Sequence, residues 1–233
     1  MRASVISALL ALLLVVGFVA AQKEKKAMSM KERWNERYDR EMYIYGKAPT
    51  EFLKTKINTL KKGKALVLAM GEGRNAVYLA ENGFDVTGVD ISEVAIEKCK
   101  KLAQERNTTV NTVVADLTNY DLGKAQYDLV TNFYYYYPSI FPKMIEALKP
   151  GGMFIFQQFS VDHLKYREQS GFGPRTLDYL VKPNELLTHF KSLRILYYED
   201  TVVELDKGMH KGTAAIIRLI AQKSDLSAVN LIE

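Results

Sequence analysis

The chain has 233 residues, of which 48% are apolar and 25% are charged, a composition typical of a globular protein rather than a disordered one. Its net charge of +5 is concentrated near the start: residues 22–64 carry thirteen Lys/Arg against six Asp/Glu, while residues 65–233 sum to −3. A single cysteine excludes an intramolecular disulfide framework, no Cys/His spacing indicates a metal site, and no nucleic-acid partner is expected of the slightly acidic remainder.

The first residues are strongly apolar. Residues 3–21 carry no charge, and a helix of that length roughly spans the ~30 Å hydrocarbon core of a bilayer. Two interpretations stay open. An uncleaved anchor would hold the domain on the cytosolic side, as the flanking basic residues favour, and would allow a membrane protein partner. A signal peptide cleaved near Ala21 would export it.

The expected domain organisation follows from these patterns. Residues 1–22 form the anchor or signal segment, 23–62 a basic tether with N-terminal helices, 63–223 the main domain and 224–233 a tail. In residues 23–62, Trp34, Tyr38, Met42 and Tyr45 recur at roughly helical spacing, and a second helix is indicated over 49–60.

Strands and helices then alternate, which indicates a parallel sheet covered on both faces. The expected strands are 64–70, 84–89, 110–115, 127–133 and 152–159, and the expected helices are 75–82, 93–106, 139–148 and 183–190. Two last β-rich runs, 193–204 and 213–221, are too close together for a crossover helix and should pair as an antiparallel hairpin. The predicted fold is α/β: a Rossmann-like, doubly wound, seven-stranded and mostly parallel sheet.

The most informative stretch is the end of the first strand. An apolar run leads into Gly71-Glu72-Gly73-Arg74-Asn75, and a second apolar run ends in Asp90. Glycines let the backbone approach a ligand, and an acid at the next strand end accepts hydrogen bonds from ribose hydroxyls. The sequence therefore predicts a nucleotide or nucleoside-cofactor site.

Further motifs follow in order: Trp34 to Tyr38, Tyr45-Gly46, Val89 to Ser92, Ala115 to Leu117, Tyr127 to Val130 and Leu148 to Gly152. Together they resemble the class I S-adenosylmethionine-dependent methyltransferases, especially the small bacterial tellurite-resistance and thiopurine-type enzymes. The resemblance covers roughly residues 34–223 and implies S-adenosylmethionine as cofactor and a small-molecule acceptor (thiol, chalcogen or small hydrophobic compound).

The resemblance also implies roles for individual residues. Asp90 would bind the ribose, Asp116 the adenine amine, the Leu117 N–H a ring nitrogen, and Ile91 the adenine face. Asn75 is expected to cap the first turn of its helix. The complete set of expected cofactor-binding residues is Tyr45, Gly71, Glu72, Gly73, Asn75, Asp90, Ile91, Asp116, Leu117, Asn132 and Phe133.

The first strand departs from the family's usual pattern. Val67 and Ala69 stand where an acid and a glycine are common, and Met70 where a small residue is frequent. Without that acid, the amino-acid end of the cofactor lacks one partner. Glu72 or a backbone carbonyl could serve the ammonium group, and Arg37 or Arg74 the carboxylate.

The fourth strand ends in Asn132, Phe133 and four consecutive tyrosines, 134–137. Carboxyl ends of strands face the ligand in this architecture, so about two tyrosines should line the cleft, with Tyr134 and Tyr135 as the expected catalytic pair. Residues 166–179 have the composition of a mobile lid over the acceptor pocket or of an ordinary connection. His163 and His210 could touch the acceptor, although a lone loop histidine is more often solvent-exposed. Two alternatives stay open: an NAD(P)-dependent oxidoreductase, and an inactive cofactor-binding scaffold in a membrane assembly.

Overall fold

The computed structural model describes residues 28–225. The expected N-terminal apolar helix, the anchor or signal segment, and most of the tail lie outside these residues. Between residues 28 and 225, none of the helices combines the length and the apolar character that crossing a membrane requires.

The described part contains seven strands and seven α-helices. The strands are β1 (Lys64–Leu68), β2 (Asp85–Asp90), β3 (Asn111–Val114), β4 (Tyr127–Phe133), β5 (Leu148–Phe159), β6 (Arg194–Lys207) and β7 (His210–Gln222). The helices are α1 (Met30–Tyr38), α2 (Glu51–Lys56), α3 (Arg74–Glu81), α4 (Glu93–Glu105), α5 (Phe141–Ala147), α6 (Leu164–Ser170) and α7 (Glu185–His189). Short 3₁₀ turns cover Ile57–Thr59, Pro138–Ile140, Val161–His163 and Leu177–Tyr179.

All seven strands form one sheet in the order β3-β2-β1-β4-β5-β7-β6. The first five are parallel to their neighbours, whereas β7 pairs antiparallel with both β5 and β6. This confirms the predicted mostly parallel sheet and its closing hairpin. The strand order reverses between β1 and β4, and ligands of open α/β sheets bind at such a reversal.

Two apolar cores cover the two faces of the sheet. One packs side chains of α2, α3 and α4 against β1, β2 and β4. The other packs α5 and α7 against the opposite face. A smaller cluster under α6 joins Phe159 and Phe172 to the start of β7. Both faces of the central strands are therefore buried, as their nearly unbroken apolar sequences require.

Several predicted boundaries were wrong. The first N-terminal helix stops at Tyr38 instead of continuing to Tyr45, because the chain turns away at Asp39 and Lys98 Nζ holds the carbonyls of Tyr38 and Met42 at 3.0 and 2.8 Å. The aromatic residues at helical spacing nevertheless cluster, with Trp34 stacked on Tyr38 at 5.5 Å between ring centroids.

Other elements are shorter or begin differently from the prediction. Strand β1 ends at Leu68, because Ala69 adopts a left-handed conformation with φ +46°. The helix expected over 139–148 begins as a 3₁₀ turn at Pro138, and the one expected over 183–190 covers only Glu185–His189, after Asn184 at φ +62°. Residues 148–151, expected as the end of a helix and a turn, already belong to β5, whose pairing with β4 is irregular there.

Candidate active site

Three of the five residues in the turn between β1 and α3 adopt a left-handed backbone conformation. Gly71 has φ +56° and Gly73 φ +88°, and Ala69, just before them, has φ +46°. A Cβ on Gly73 would lie 2.3 Å from the Sγ of Cys99 in α4, so only glycine allows the two helices to approach this closely. A Cβ on Gly71 would lie 2.9 Å from the hydroxyl of Tyr38. The backbone of the turn therefore approaches α4 closely at Gly73 and α1 closely at Gly71.

The unusual residues of β1 have local explanations. Val67 is buried in the apolar core next to α2 and α3. Met70 lies over Gly88 of β2, whose hydrogen leaves the space that the methionine sulfur fills; a Cβ there would come within 2.1 Å of it. A large residue at position 70 is thus matched by a glycine on the neighbouring strand.

Asp90 closes this turn from the tip of β2. Its Oδ2 accepts the Gly71 N–H at 2.8 Å and its Oδ1 accepts the Ser92 N–H at 2.9 Å. Burial raises the pKa of the carboxyl group, although hydrogen bonds from the Ser92, Gly71 and Ile91 backbone act in the opposite direction. A carboxylate has about four acceptor positions, so these backbone donors leave acceptor capacity for a ribose hydroxyl.

Asp116 follows β3, next to the tip of β2. It borders a cavity of about 460 Å³ lined by Ile91, Val114 and Ala115 on one side and by the start of α1, residues 29–31, on the other. Its Oδ1 accepts hydrogen bonds from the N–H and hydroxyl of Thr118 at 2.9 and 2.8 Å. Leu117, buried, follows at the cavity's edge. The cavity is large enough for a purine ring, and its lining combines apolar side chains with the polar Ser29, Lys31 and Asp116.

The two carboxylates act on the same side chain. Burial raises the pKa of the Tyr135 phenol to about 12, and the charges of Asp116 and Asp90 both contribute. The tips of β2, β3 and β4 thus converge on one cleft, as their parallel alignment requires.

Two predicted cofactor ligands are engaged elsewhere. Glu72 is buried, pairs with Lys98 Nζ at 2.7 Å and accepts the Tyr45 N–H at 3.3 Å. Asn75 does not cap its own helix, whose N-cap is Gly73 without a side-chain bond; that expectation was wrong. Instead its Oδ1 accepts the Thr50 N–H at 2.9 Å, which holds the start of α2. Both side chains fix the N-terminal segment onto the domain.

Asn132 and Phe133 end β4 differently. Asn132 is fully buried, and within residues 28–225 neither its Oδ1 nor its Nδ2 has a hydrogen-bond partner. A buried amide is costly without partners, so this side chain is suited to a bound polar group. Phe133 instead packs into the core beside α2 and α3.

The four tyrosines after β4 have different surroundings. Tyr134 has φ +62°, a strained conformation for a bulky residue and one that is common at functional sites. Its hydroxyl accepts a hydrogen bond from Gln157 Nε2. Tyr136 is buried and bonds Glu185, and Tyr137 is exposed. Tyr136 and Tyr137 thus have other surroundings, and the catalytic role of Tyr134 and Tyr135 stays a prediction.

Two arginines converge on Tyr45. Arg74 Nη1 donates to the Tyr45 carbonyl at 2.8 Å, and Arg37 Nε donates to the Tyr45 hydroxyl at 3.1 Å. The Arg74 guanidinium lies 5.8 Å from the ring centroid of Tyr45 and 6.0 Å from that of Tyr134. Burial lowers the pKa of Arg74. The sequence named both arginines as partners for a carboxylate.

Two histidines lie buried near these aromatic residues. They are His163 and His210, and their burial corrects the more frequent expectation of solvent exposure. The ring of His210 lies 4.8 Å from that of Tyr45 and 4.7 Å from that of Tyr134. His163 stacks on Phe159 at 4.4 Å. No pattern near position 210 predicts this, because the hairpin tip reaches the site by a long-range contact: the Met209 N–H donates to the Ile44 carbonyl at 2.7 Å.

Comparison with known proteins agrees with this geometry. Residues 65–152 match a protein family described as a methyltransferase domain. A probable S-adenosyl-L-methionine-dependent methyltransferase, TehB of Haemophilus influenzae, is 27% identical over 157 residues, which cover 64% of this chain and 52% of the relative. These matches support a class I S-adenosylmethionine-dependent methyltransferase related to TehB.

The methyltransferase chain spans about half the length of the curated relatives it matches. The crystal structure of TehB from H. influenzae superposes with a TM-score of 0.63 at 21% identity, covering 83% of this chain and 67% of that one. A structure described as concerning the conversion of a disulfide bond into a thioacetal group during echinomycin biosynthesis gives 0.69 at 16% identity, covering 86% and 94%. At such identities these likenesses show the fold alone.

The residues of the methyltransferase domain fit S-adenosylmethionine, the cofactor of the family. Ile91 and Asp116 line a cavity large enough for the adenine, Asp90 keeps acceptor capacity for the ribose, and the orphaned Asn132 amide lies where β4 ends. The findings give the oxidoreductase alternative no support. The individual roles of Asp90, Ile91, Asp116, Leu117, Asn132 and the other expected ligands stay predictions.

Proposed function

We propose that the protein transfers the methyl group of S-adenosylmethionine to a small-molecule nucleophile: a thiol, a chalcogen compound or a small hydrophobic acceptor. The observation that carries this proposal is the placement of Asp90 and Asp116 on neighbouring strand tips. Asp90 binds the Gly71 N–H of the glycine turn, and Asp116 lines a cavity next to Ile91.

The chain's own residues would position the reactants rather than supply an obligatory base. When bound, the cofactor supplies an activated methyl group on a sulfonium. Asp90 binds the ribose hydroxyls by charge-assisted hydrogen bonds, and Asp116 with the Leu117 N–H holds the adenine edge. Tyr134 and Tyr135 place aromatic faces near the sulfonium, which favours a cation, and exclude water from the reacting atoms.

Arg37 is the better partner for the cofactor carboxylate. It lies on α1, whose first residues border the adenine cavity, and its guanidinium lies 5.7 and 5.8 Å from the rings of Trp34 and Tyr45. With Val67 buried in the core, the ammonium group would bind to backbone carbonyls of the glycine turn. Glu72 is committed to Lys98 and is a weaker choice.

Calorimetric titration with S-adenosylhomocysteine and, separately, with NADH tests the cofactor. We expect binding of the first and none of the second; the reverse would establish the oxidoreductase alternative. Transfer of labelled methyl groups to thiol, selenite and aromatic acceptors then tests catalysis. A chain that binds S-adenosylhomocysteine but labels no acceptor in any pool would be the inactive scaffold.

We further propose that residues 3–21 anchor the protein in a membrane with the domain on the cytosolic side, where S-adenosylmethionine is made. The uncharged segment and the basic residues 22–64 beside it support this. Fractionation with carbonate extraction tests it, together with sequencing of the mature N-terminus. A mature protein that starts at Gln22 would establish signal cleavage and export. The same membrane fraction would contain any membrane protein partner.

A further inference from the structure

The Arg74 guanidinium is largely buried, and no ion pair to it occurs within residues 28–225. Its contacts are the Tyr45 carbonyl at 2.8 Å and the rings of Tyr45 and Tyr134. The nearest acid in sequence, Glu72, is paired with Lys98. Among the described residues, no carboxylate lies within 4 Å of the Arg74 or Arg37 guanidinium. Buried charges in proteins are paired as a rule, so this cation is prepared for an anion that is not part of the described chain.

His210 lies beside this cation and stays neutral. Burial, together with the charges of Arg74, Arg37 and His163, lowers its pKa to about 3. The groups that face it are Arg74 from α3, Arg37 from α1, His163 after β5, Tyr45 from the loop before α2 and Tyr134 from the end of β4. Its Nδ1 is buried, with no hydrogen-bond partner among residues 28–225. The positive charges of Arg74 and Arg37, which add to the effect of burial on His210, also favour an ionised acid or thiol placed beside them.

We propose that Arg74, the Tyr134 ring and the neutral His210 form an acceptor subsite that binds the nucleophile in its anionic form. This inference rests on the proposed methyl transfer and narrows its substrate class. Of the three acceptor classes, thiolates and other soft chalcogen anions fit the subsite, and neutral hydrophobic acceptors do not. His210 is a positioning residue here and takes no proton.

The reaction balances without a base. A lone pair of the anionic acceptor forms the bond to the methyl carbon. The bond between that carbon and the sulfonium sulfur breaks, and its electron pair stays on sulfur. The anion and the cation thereby become two neutral products, and no proton moves. Two guanidinium groups beside the site oppose protonation of His210, so removal of a proton by this imidazole would be unfavourable.

Arg74 rather than Arg37 is assigned to the acceptor because of its neighbours. Arg74 contacts the ring of Tyr134, which in turn contacts His210 and Phe159 at 4.7 and 4.9 Å. Arg37 instead contacts Trp34 on α1 and is exposed. The buried Arg74 is therefore assigned to the acceptor, and the exposed Arg37 to the cofactor carboxylate.

The first experiment is a pH profile of kcat/KM for wild-type protein with two aromatic thiols, thiophenol and 4-nitrothiophenol, of which the second ionises at lower pH. We expect the midpoint of the rising limb to follow the thiol, being lower for 4-nitrothiophenol, and to stay in place in His210→Gln. One midpoint common to both thiols that disappears in His210→Gln would overturn the proposal, because a protein base would then limit the reaction.

The second experiment measures binding without turnover. Titration of thiophenolate at pH 8 into the complex with S-adenosylhomocysteine should give an affinity that Arg74→Gln lowers by at least about 30-fold. Arg74→Lys should lose less, and the exposed Arg106→Gln should lose nothing. S-adenosylhomocysteine itself should bind wild type and Arg74→Gln within about threefold of each other.

The outcomes separate the two proposals. Failure of wild type to bind S-adenosylhomocysteine overturns the proposed function. Normal S-adenosylhomocysteine binding without thiophenolate binding overturns only the subsite. Loss of S-adenosylhomocysteine affinity in Arg74→Gln with unchanged thiophenolate binding assigns Arg74 to the cofactor, which also overturns it. As an independent readout, long-range ¹H–¹⁵N spectra of the three histidines should show His210 neutral between pH 5 and 8; a protonated ring at pH 6 would contradict the subsite.

Discussion

Gly73 and Cys99 touch across the junction of two helices, and the contact leaves no room for even one more carbon at position 73. The thiol below the glycine is fully buried, and burial raises its pKa to about 12. Cys99 is therefore a packing residue whose chemistry is suppressed, and the close approach it allows fixes the position of the glycine turn.

Gly73→Ala should destabilise the protein by about 2–4 kcal/mol, of which the left-handed φ of +88° contributes about 1–2 and the collision with Cys99 the rest. Chemical denaturation measures this. Gly83→Ala is the matched control, because Gly83 has φ +83° but nothing within 4 Å of its added carbon, and it should lose only the backbone part. Adding Cys99→Ala to Gly73→Ala should recover only part of the collision energy, because the Cβ at position 99 would still lie 2.7 Å from the added carbon. Equal losses of stability in Gly73→Ala and Gly83→Ala would contradict the contact.

Ala69→Gly should stabilise the protein by about 0.5–1 kcal/mol. Ala69 adopts φ +46°, where glycine has no steric penalty, and this relief exceeds the cost of a more flexible unfolded chain. Thermal and urea unfolding measure the gain. Ala125→Gly, at φ +49° and far from the turn, should gain a similar amount. A loss of stability at position 69 alone would show that the alanine methyl group packs productively.

Asp90→Asn should weaken S-adenosylhomocysteine binding by about 10- to 100-fold, because the carboxylate accepts charge-assisted hydrogen bonds from the ribose. Calorimetric titration measures the affinity. Asp85→Asn is the matched control, since Asp85 begins the same strand and is exposed, and its affinity should not change. If Asp90→Asn bound the ligand as tightly as wild type, Asp90 would only organise the Gly71 turn.

Lys98→Met should destabilise the protein by about 3–5 kcal/mol, because it leaves the buried Glu72 carboxylate without its partner. The double variant Glu72→Gln/Lys98→Met should recover the part of that loss that comes from the unpaired carboxylate, whereas the Tyr38 and Met42 carbonyls still lack their Lys98 donor. It also tests the predicted cofactor role of Glu72. If the pair is structural, the folded double variant binds S-adenosylhomocysteine within about threefold of wild type. A much larger loss of affinity would assign the ammonium group to Glu72.

Stability should fall as the pH drops below 6.5, because His210 titrates near 3 in the folded protein and near 6.5 when unfolded. Between these two pH values the unfolded state binds a proton that the folded state does not. The contribution of the neutral His210 to the free energy of unfolding is therefore complete above pH 6.5 and is lost toward pH 3. At pH 5 the loss is on the order of 2 kcal/mol. Unfolding of wild type and His210→Gln between pH 4.5 and 7.5 measures this loss of stability, and the variant should give the flatter curve of stability against pH.

His163→Gln should flatten the curve in the same sense, because burial also lowers the pKa of His163. Parallel curves for all three proteins would contradict the burial of these imidazoles.

The sequence was sufficient for the features that depend on local pattern. The gap between the last two β-rich runs is too short for a helix, which correctly predicted the hairpin. Strand tips carry Asp90 and Asp116, and parallel pairing places them at one edge. These inferences need only the period of apolar residues and the geometry of parallel strands.

The sequence was insufficient where a side chain acts at long range. Lys98 pairs with the Glu72 carboxylate, which lies 26 positions away in the sequence. The Thr50 N–H donates to the amide oxygen of Asn75, which lies 25 positions away. Neither contact has a sequence signature, and for this reason the sequence predicts both Glu72 and Asn75 as cofactor ligands. The burial of His210 between Tyr45 and Tyr134 has no local signature either, because its position depends on the register of the whole hairpin.

The bond between the Met209 N–H and the Ile44 carbonyl ties the last hairpin to the first loop of the domain. During translation, every residue around the adenine cavity and the glycine turn emerges before position 136, whereas His210 emerges some seventy residues later. A nascent or C-terminally truncated chain therefore lacks the imidazole beside Arg74, whatever else it has folded. His210 and Arg74 therefore come together only when synthesis of the last hairpin is complete.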